Sequence, residues 1–113
     1  MRQLNQNIVP LQAATSVTTD AVPAENLFYM SAQIAITGAG AGTMKLQASN
    51  DDTNGEVNTI PTNWSDIPSA SVIVSGTGAF LIPKTEICYQ YVRVVYTNTG
   101  SGTISIVIKA IGS

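Results

Sequence analysis

At 113 residues the chain has the size of one domain, and a chain of that size can bury roughly 65% of its unfolded surface, enough for a core without disulfides or metals. Hydrophobic residues make up 44% of it and charged residues only 11%, against a usual charged fraction of about 25%. The net charge is −2 with no basic cluster; this excludes the concentrated positive charge that phosphate backbones require, and with it nucleic acid as an expected partner.

The chain opens on residues 1–12, rich in Gln and Asn and carrying Pro10. They read as an N-terminal arm or edge strand ahead of one domain over 13–113. Strand candidates follow at short intervals. The first are Leu4 to Leu11 and Ala13 to Thr19. Leu27 to Thr37 comes next, where Met30, Ala32, Ile34 and Ile36 alternate with Tyr29, Ser31, Gln33 and Thr37. Period two of this kind predicts one buried and one exposed face. The run Gly38-Ala39-Gly40-Ala41-Gly42 predicts a hairpin turn into Thr43 to Ser49, whose inward set is Met44, Leu46 and Ala48. A polar loop spans Asn50 to Asn63. Trp64 to Ile67, Ser69 to Val74 and Ala79 to Ile82 are further short strands, the last two split by Gly76-Thr77-Gly78. No helix-forming run interrupts the series. The pattern predicts an all-β chain, a jelly-roll-like antiparallel β-sandwich of about eight short strands.

Cys88 to Thr97 and Thr103 to Ile111 predict a closing hairpin around Asn98-Thr99-Gly100-Ser101-Gly102. Val92, Val94 and Tyr96 share one face of its first strand, and Ile104, Ile106 and Ile108 one face of its second. The opposite faces carry Tyr89, Tyr91, Arg93 and Val95, then Val107, Lys109 and Ile111. A sheet with one wet face should not be apolar on both sides. Either the chain covers both faces itself, or the second face is an association surface. The association reading makes Tyr89, Tyr91, Arg93, Val95, Val107 and Ile111 candidate partner or self-contact residues.

Motifs for chemistry are scarce. There is no histidine, which removes Ser-His-Asp and Cys-His nucleophilic systems and imidazole acid–base work. Cys88, the only cysteine, has no such base beside it and reads as a small buried hydrophobe; alone, it forms no intrachain disulfide. The carboxylates Asp51, Asp52, Glu56, Asp66 and Glu86 lie mostly in polar loops, and a chain this small has little room for a deep cleft. We therefore expect no enzyme, no cofactor and no metal. Asn50-Asp51-Asp52-Thr53-Asn54-Gly55 starts like a calcium loop, but Pro61 stands at its twelfth position, where a bidentate Glu belongs, so an Asn/Asp/Gly turn is favoured. Asn63-Trp64-Ser65 matches a glycosylation sequon. The first seven residues have no apolar h-region and no apolar run approaches the roughly 20 residues that cross a bilayer, so neither secretion nor a membrane partner is expected. Trp64 reads as a core or loop-clasp residue, with a stacking platform for a sugar as the functional alternative.

Three segments taken in order, Gly42 to Asp51, Pro61 to Ile67 and Tyr89 to Thr97, followed by Gly102-Thr103-Ile104-Ser105, resemble small β-sandwich proteins encoded in tailed-phage structural gene clusters. Length and low charge also resemble the jelly-roll decoration, or cement, proteins of phage capsids. The resemblance spans roughly residues 28–111. It implies a virion structural protein at the capsid surface, assembled in the host cytoplasm, that binds and stabilises the shell of the major capsid protein. It further implies self-association as a dimer or trimer. The segments also resemble sugar-binding sandwiches and phage fibre domains. That alternative implies a carbohydrate- or receptor-binding module using Trp64, Asp66, Asn50 and Asp52.

Overall fold

The computed structural model describes residues 2–24, 27–51 and 61–112. Among them nine strands appear and no helix: β1 Arg2–Ala13, β2 Val17–Thr18, β3 Val22–Pro23, β4 Leu27–Thr37, β5 Ala41–Ser49, β6 Ser65–Ser75, β7 Gly78–Glu86, β8 Tyr91–Asn98 and β9 Thr103–Gly112. They form two antiparallel sheets. The front sheet has the order β1-β9-β4-β7. The back sheet has the order β2-β8-β5-β6, with β3 also pairing β8. Since β2 and β3 share one position beside β8, eight strand positions are filled. With the chain passing between the sheets at most connections, this is a jelly-roll sandwich.

The alternation seen in the sequence sets the core. Met30, Ala32, Ile34 and Ile36 of β4 and Ile104, Ile106, Ile108 and Ala110 of β9 point inward from the front sheet. Met44, Leu46 and Ala48 of β5 and Val92, Val94 and Tyr96 of β8 meet them from the back sheet, all of them buried. These are the apolar positions at period two, and each fully buried Ile, Val, Leu or Met among them contributes about 1.5–3 kcal/mol. The Tyr96 hydroxyl, at the core's margin, donates to Asn98 Oδ1 at 2.9 Å; burial raises its pKa.

The structure corrects the expected hairpins. β8 and β9 do not pair: β8 lies between β2 and β5 in the back sheet, and β9 between β1 and β4 in the front sheet. The Gly38 to Gly42 connection likewise crosses from β4 in front to β5 behind. The reason lies in the connections themselves. They pack on one another at one end of the sandwich and satisfy each other's backbone: Ser101 N donates to Ala39 O (3.0 Å), Thr99 N to Ala41 O (2.9 Å) and Gly76 N to Gly40 O (2.8 Å). Gly100 lies against the Ala39 carbonyl and the Ala41 amide, where a Cβ has no room. Gly102 adds φ +106, which disfavours any side chain. The glycine run is thus a close-packed crossover.

Three smaller differences follow from bulges and from Cys88. The two candidate strands before Thr19 are one long β1 and a two-residue β2; β1 keeps pairing with β9 through register breaks at Asn7/Val9 and Val9/Gln12. Trp64 to Ile67 and Ser69 to Val74 merge into β6, whose register against β5 breaks between Lys45 and Gln47, around Pro68 and Ser69 (φ 62). Cys88 is exposed in the connection before β8 and is not a buried hydrophobe.

Candidate binding surfaces

Splitting the two final strands between sheets also splits the expected association surface. Val107 and Ile111 face outward from the front sheet; Tyr91, Arg93 and Val95 face outward from the back sheet. All five are half-buried. Tyr89 precedes β8 and packs half-buried against the core. The six candidates do not form one patch.

The outer face of the front sheet is the more apolar of the two. Its cross-strand rows are Ile111–Tyr29–Glu86, Val107–Gln33–Leu81 and Ser105–Ala35–Ala79. Tyr29 is 38% exposed and Leu81 54%. Phe28, at a register break beside Tyr29, is 52% exposed. Two shallow depressions mark this face, one of about 230 Å³ at Tyr29, Ser31, Lys109 and Ile111, the other of about 250 Å³ at Asn5, Gln33, Leu81 and Val107. Tyr29 and Leu81 were absent from the candidate set, although the β4 alternation already placed Tyr29 opposite the core.

The outer face of the back sheet carries a hydrogen-bonded polar ladder beside the outward Tyr91 and Val95 and the 77% exposed Ile73. Lys45 Nζ pairs with Asp66 Oδ1 at 3.1 Å, Gln47 Nε2 donates to the same oxygen at 2.9 Å, and Arg93 Nε donates to Gln47 Oε1 at 2.9 Å. Registers across β8, β5 and β6 put these groups side by side. Trp64 covers the end of the ladder, with the Arg93 guanidinium 4.2 Å from its ring centroid and its indole N–H donating to Pro61 O at 3.0 Å. The Gln47 and Lys45 hydrogen bonds hold the Asp66 carboxyl below its ordinary pKa. Trp64 is therefore a clasp, with one ring face taken by a cation.

At the end of the back sheet opposite the glycine crossovers lies a cleft of about 270 Å³. Its floor is Ala48 and Ile67, and its walls include Asn50, Asn63, Ser65, Asp66 and Tyr89. Of the four residues of the sugar-binding alternative, Asn50 and Asp66 line this cleft, Trp64 stands beside it in sequence, and Asp52 lies outside the described residues. So does most of the calcium-like loop. Asn63, Ser65 and Tyr89 were missed; no spacing rule links the β5–β6 connection and the start of β6 with the β7–β8 connection. Among the described residues no group of three or more Cys, Asp and Glu side chains is placed to hold a metal ion, and no helix is long and apolar enough to cross a membrane.

The architecture defines a jelly-roll β-sandwich, and solved structures share that fold. The SPBc2 prophage-derived protein YomS superposes with a TM-score of 0.57 at 13% identity, covering 96% of this chain and 92% of YomS. PirA superposes with a TM-score of 0.53 at 19% identity, covering 92% of this chain and 90% of PirA. At these identities the likeness concerns the fold. No protein-family model matches the sequence, and no curated protein matches it.

Proposed function

We propose that the chain is a non-catalytic virion structural protein of a tailed phage. In this reading it binds the outer capsid surface, cements the shell of the major capsid protein, and works as a dimer or trimer. The observation that carries it is the outer face of the front sheet, where Tyr29 pairs with Ile111, and Val107 and the exposed Leu81 flank Gln33, with Lys109 and Glu86 the charges beside them. Large apolar side chains left exposed close together on one face are a mark of contact sites. A rigid sandwich repeated over a lattice gains avidity from many modest contacts. The prophage origin of YomS, which has the same fold, supports a phage setting.

The test is co-sedimentation of the purified chain with capsid shells of the phage that encodes it. Binding should saturate at a fixed ratio to the major capsid protein, and light scattering of the free chain should give a dimer or trimer mass. A chain that stays in the supernatant, or that occurs in virions only at the copy number of a tail appendage, overturns the reading.

A further inference from the structure

We propose that the cleft at the loop end of the back sheet is a subsite for one neutral sugar residue of a glycan. It is independent of the front-sheet contact face. Three features of the cleft point to this: its walls are held in place before any ligand arrives, its remaining hydrogen-bonding groups are neutral, and its volume suits a single small ring.

The walls are fixed from the end of β5. The Asn50 Oδ1 accepts from the Gln90 backbone N–H at 2.9 Å, which ties down the connection that carries Tyr89. The next residue reaches the other way. Asp51 Oδ2 accepts from the backbone N–H groups of Thr62 (2.7 Å) and Asn63 (3.0 Å), and its Oδ1 from Asn63 Nδ2 at 3.0 Å. Ser49 Oγ in turn accepts from the Asp51 N–H at 3.1 Å. Residues 49–51 thus staple both flanking connections, which lowers the cost of ordering the walls on binding.

The groups these bonds leave over are the Asn50 Nδ2 donors, the Asn63 Oδ1 acceptor and the hydroxyls of Ser65 and Tyr89. Amide and hydroxyl groups of this kind match the paired donor–acceptor hydroxyls of a sugar. The one charge in the wall is Asp66, already met by Lys45 and Gln47. An anionic ligand would face that carboxylate, and a cation would have to displace Lys45. The apolar floor of Ala48 and Ile67 with the Tyr89 ring offers a surface for the C–H face of a pyranose. A volume of about 270 Å³ lies just under the roughly 300 Å³ at which pockets for drug-sized ligands begin, which leaves space for one ring.

The experiment is a titration of the ¹⁵N-labelled full chain with N-acetylglucosamine, galactose, glucose and methyl mannoside, with glycerol as a control. At least one sugar should give saturable shifts confined to Ser49–Asp51, Asn63–Ile67 and Tyr89–Gln90, with a Kd on the order of 1 mM. Ser65→Trp, from an exposed position, should fill the cleft and abolish those shifts. Tyr89→Phe keeps the packing, removes one hydroxyl, and should weaken binding about three- to tenfold. Absence of saturable shifts for every sugar, equal shifts with glycerol, or shifts unchanged in both variants overturns the proposal.

Discussion

Leu81→Ser is the perturbation that isolates the front face. Leu81 sits on edge strand β7 in register with Gln33, and 54% of it is exposed. Full burial of a leucine is worth about 1.5–3 kcal/mol, so the half left for a partner to cover is worth about 0.8–1.5 kcal/mol. A symmetric contact uses the residue once from each copy, which doubles the loss to about 1.6–3 kcal/mol, or a Kd weakened roughly 15- to 150-fold. Folding loses no more than about 1 kcal/mol, because the residue is only half covered in the monomer. Ile73→Ser is the matched control: it makes a similar chemical change at a residue that is 77% exposed on back-sheet strand β6. Sedimentation velocity over a concentration series, with thermal melts alongside, reads both quantities. Equal weakening by Ile73→Ser, or unchanged association of Leu81→Ser, would refute the assignment of the front face.

Ile106 is fully buried between Val9 and Ile34, so Ile106→Ala should cost about 2–5 kcal/mol in denaturant unfolding. Leu11→Ala, at a residue 72% exposed, should stay within about 0.5 kcal/mol of the parent in the same assay. Gly102→Ala places a Cβ on the Thr37 carbonyl at φ +106 and should destabilise by more than about 2 kcal/mol; an unchanged melt would contradict the close-packed crossover. The Asp51 carboxyl is held below its ordinary value of 3.8, first by the Asn63 backbone N–H, then by the Asn63 side chain and the Thr62 backbone N–H. Its folded pKa is depressed, so its stabilisation is complete above pH 3.8 and disappears as pH falls through the lower folded value. The Thr62 and Asn63 amide resonances should titrate with a midpoint below 3.8, and a midpoint at or above it counts against the staple. Pro83→Thr on edge strand β7 should raise thioflavin-positive aggregation on heating, with little change in the folded spectrum.

The alternation of β4, β5, β8 and β9 was legible because it depends only on which side of a pleat each residue occupies. Met30, Met44, Val94 and Ile106 could be assigned to the core without knowing what they pack against. Strand pairing was not legible. Asn98 to Gly102 has the length and glycine content of a hairpin loop, and whether such a loop returns along one sheet or crosses to the other depends on Gly38 to Gly42 packing beside it. These segments lie about sixty residues apart, and no local rule joins them. The doubly apolar character of β8 and β9 was real, but its meaning changed with the topology. Their inner faces meet in one core, while their outer faces point in opposite directions. Arg93, a candidate contact residue, also packs on Trp64, which reaches it from another connection.

The placement of proline bears on how such a chain can assemble. Four of its five prolines lie in strands, and each occupies a sheet edge: Pro10 in β1 and Pro83 in β7 at the margins of the front sheet, Pro23 in β3 and Pro68 in β6 at those of the back sheet. The interior strands β4, β5, β8 and β9 contain none. Three of the four also fall at or beside a register break, at Val9/Gln12 in β1, opposite Met30/Ala32 in β7 and opposite Lys45/Gln47 in β6. A proline gives no N–H to a neighbouring strand and a bulge spoils the register, so every margin resists the addition of another strand. If the chain assembles as proposed, contacts between copies or with a larger shell fall on the sheet faces and not on the margins. Of these faces, the back holds the Lys45–Asp66–Gln47–Arg93 ladder beside the exposed Ile73, and the front presents the exposed Tyr29 and Leu81, the contrast that Leu81→Ser and Ile73→Ser test.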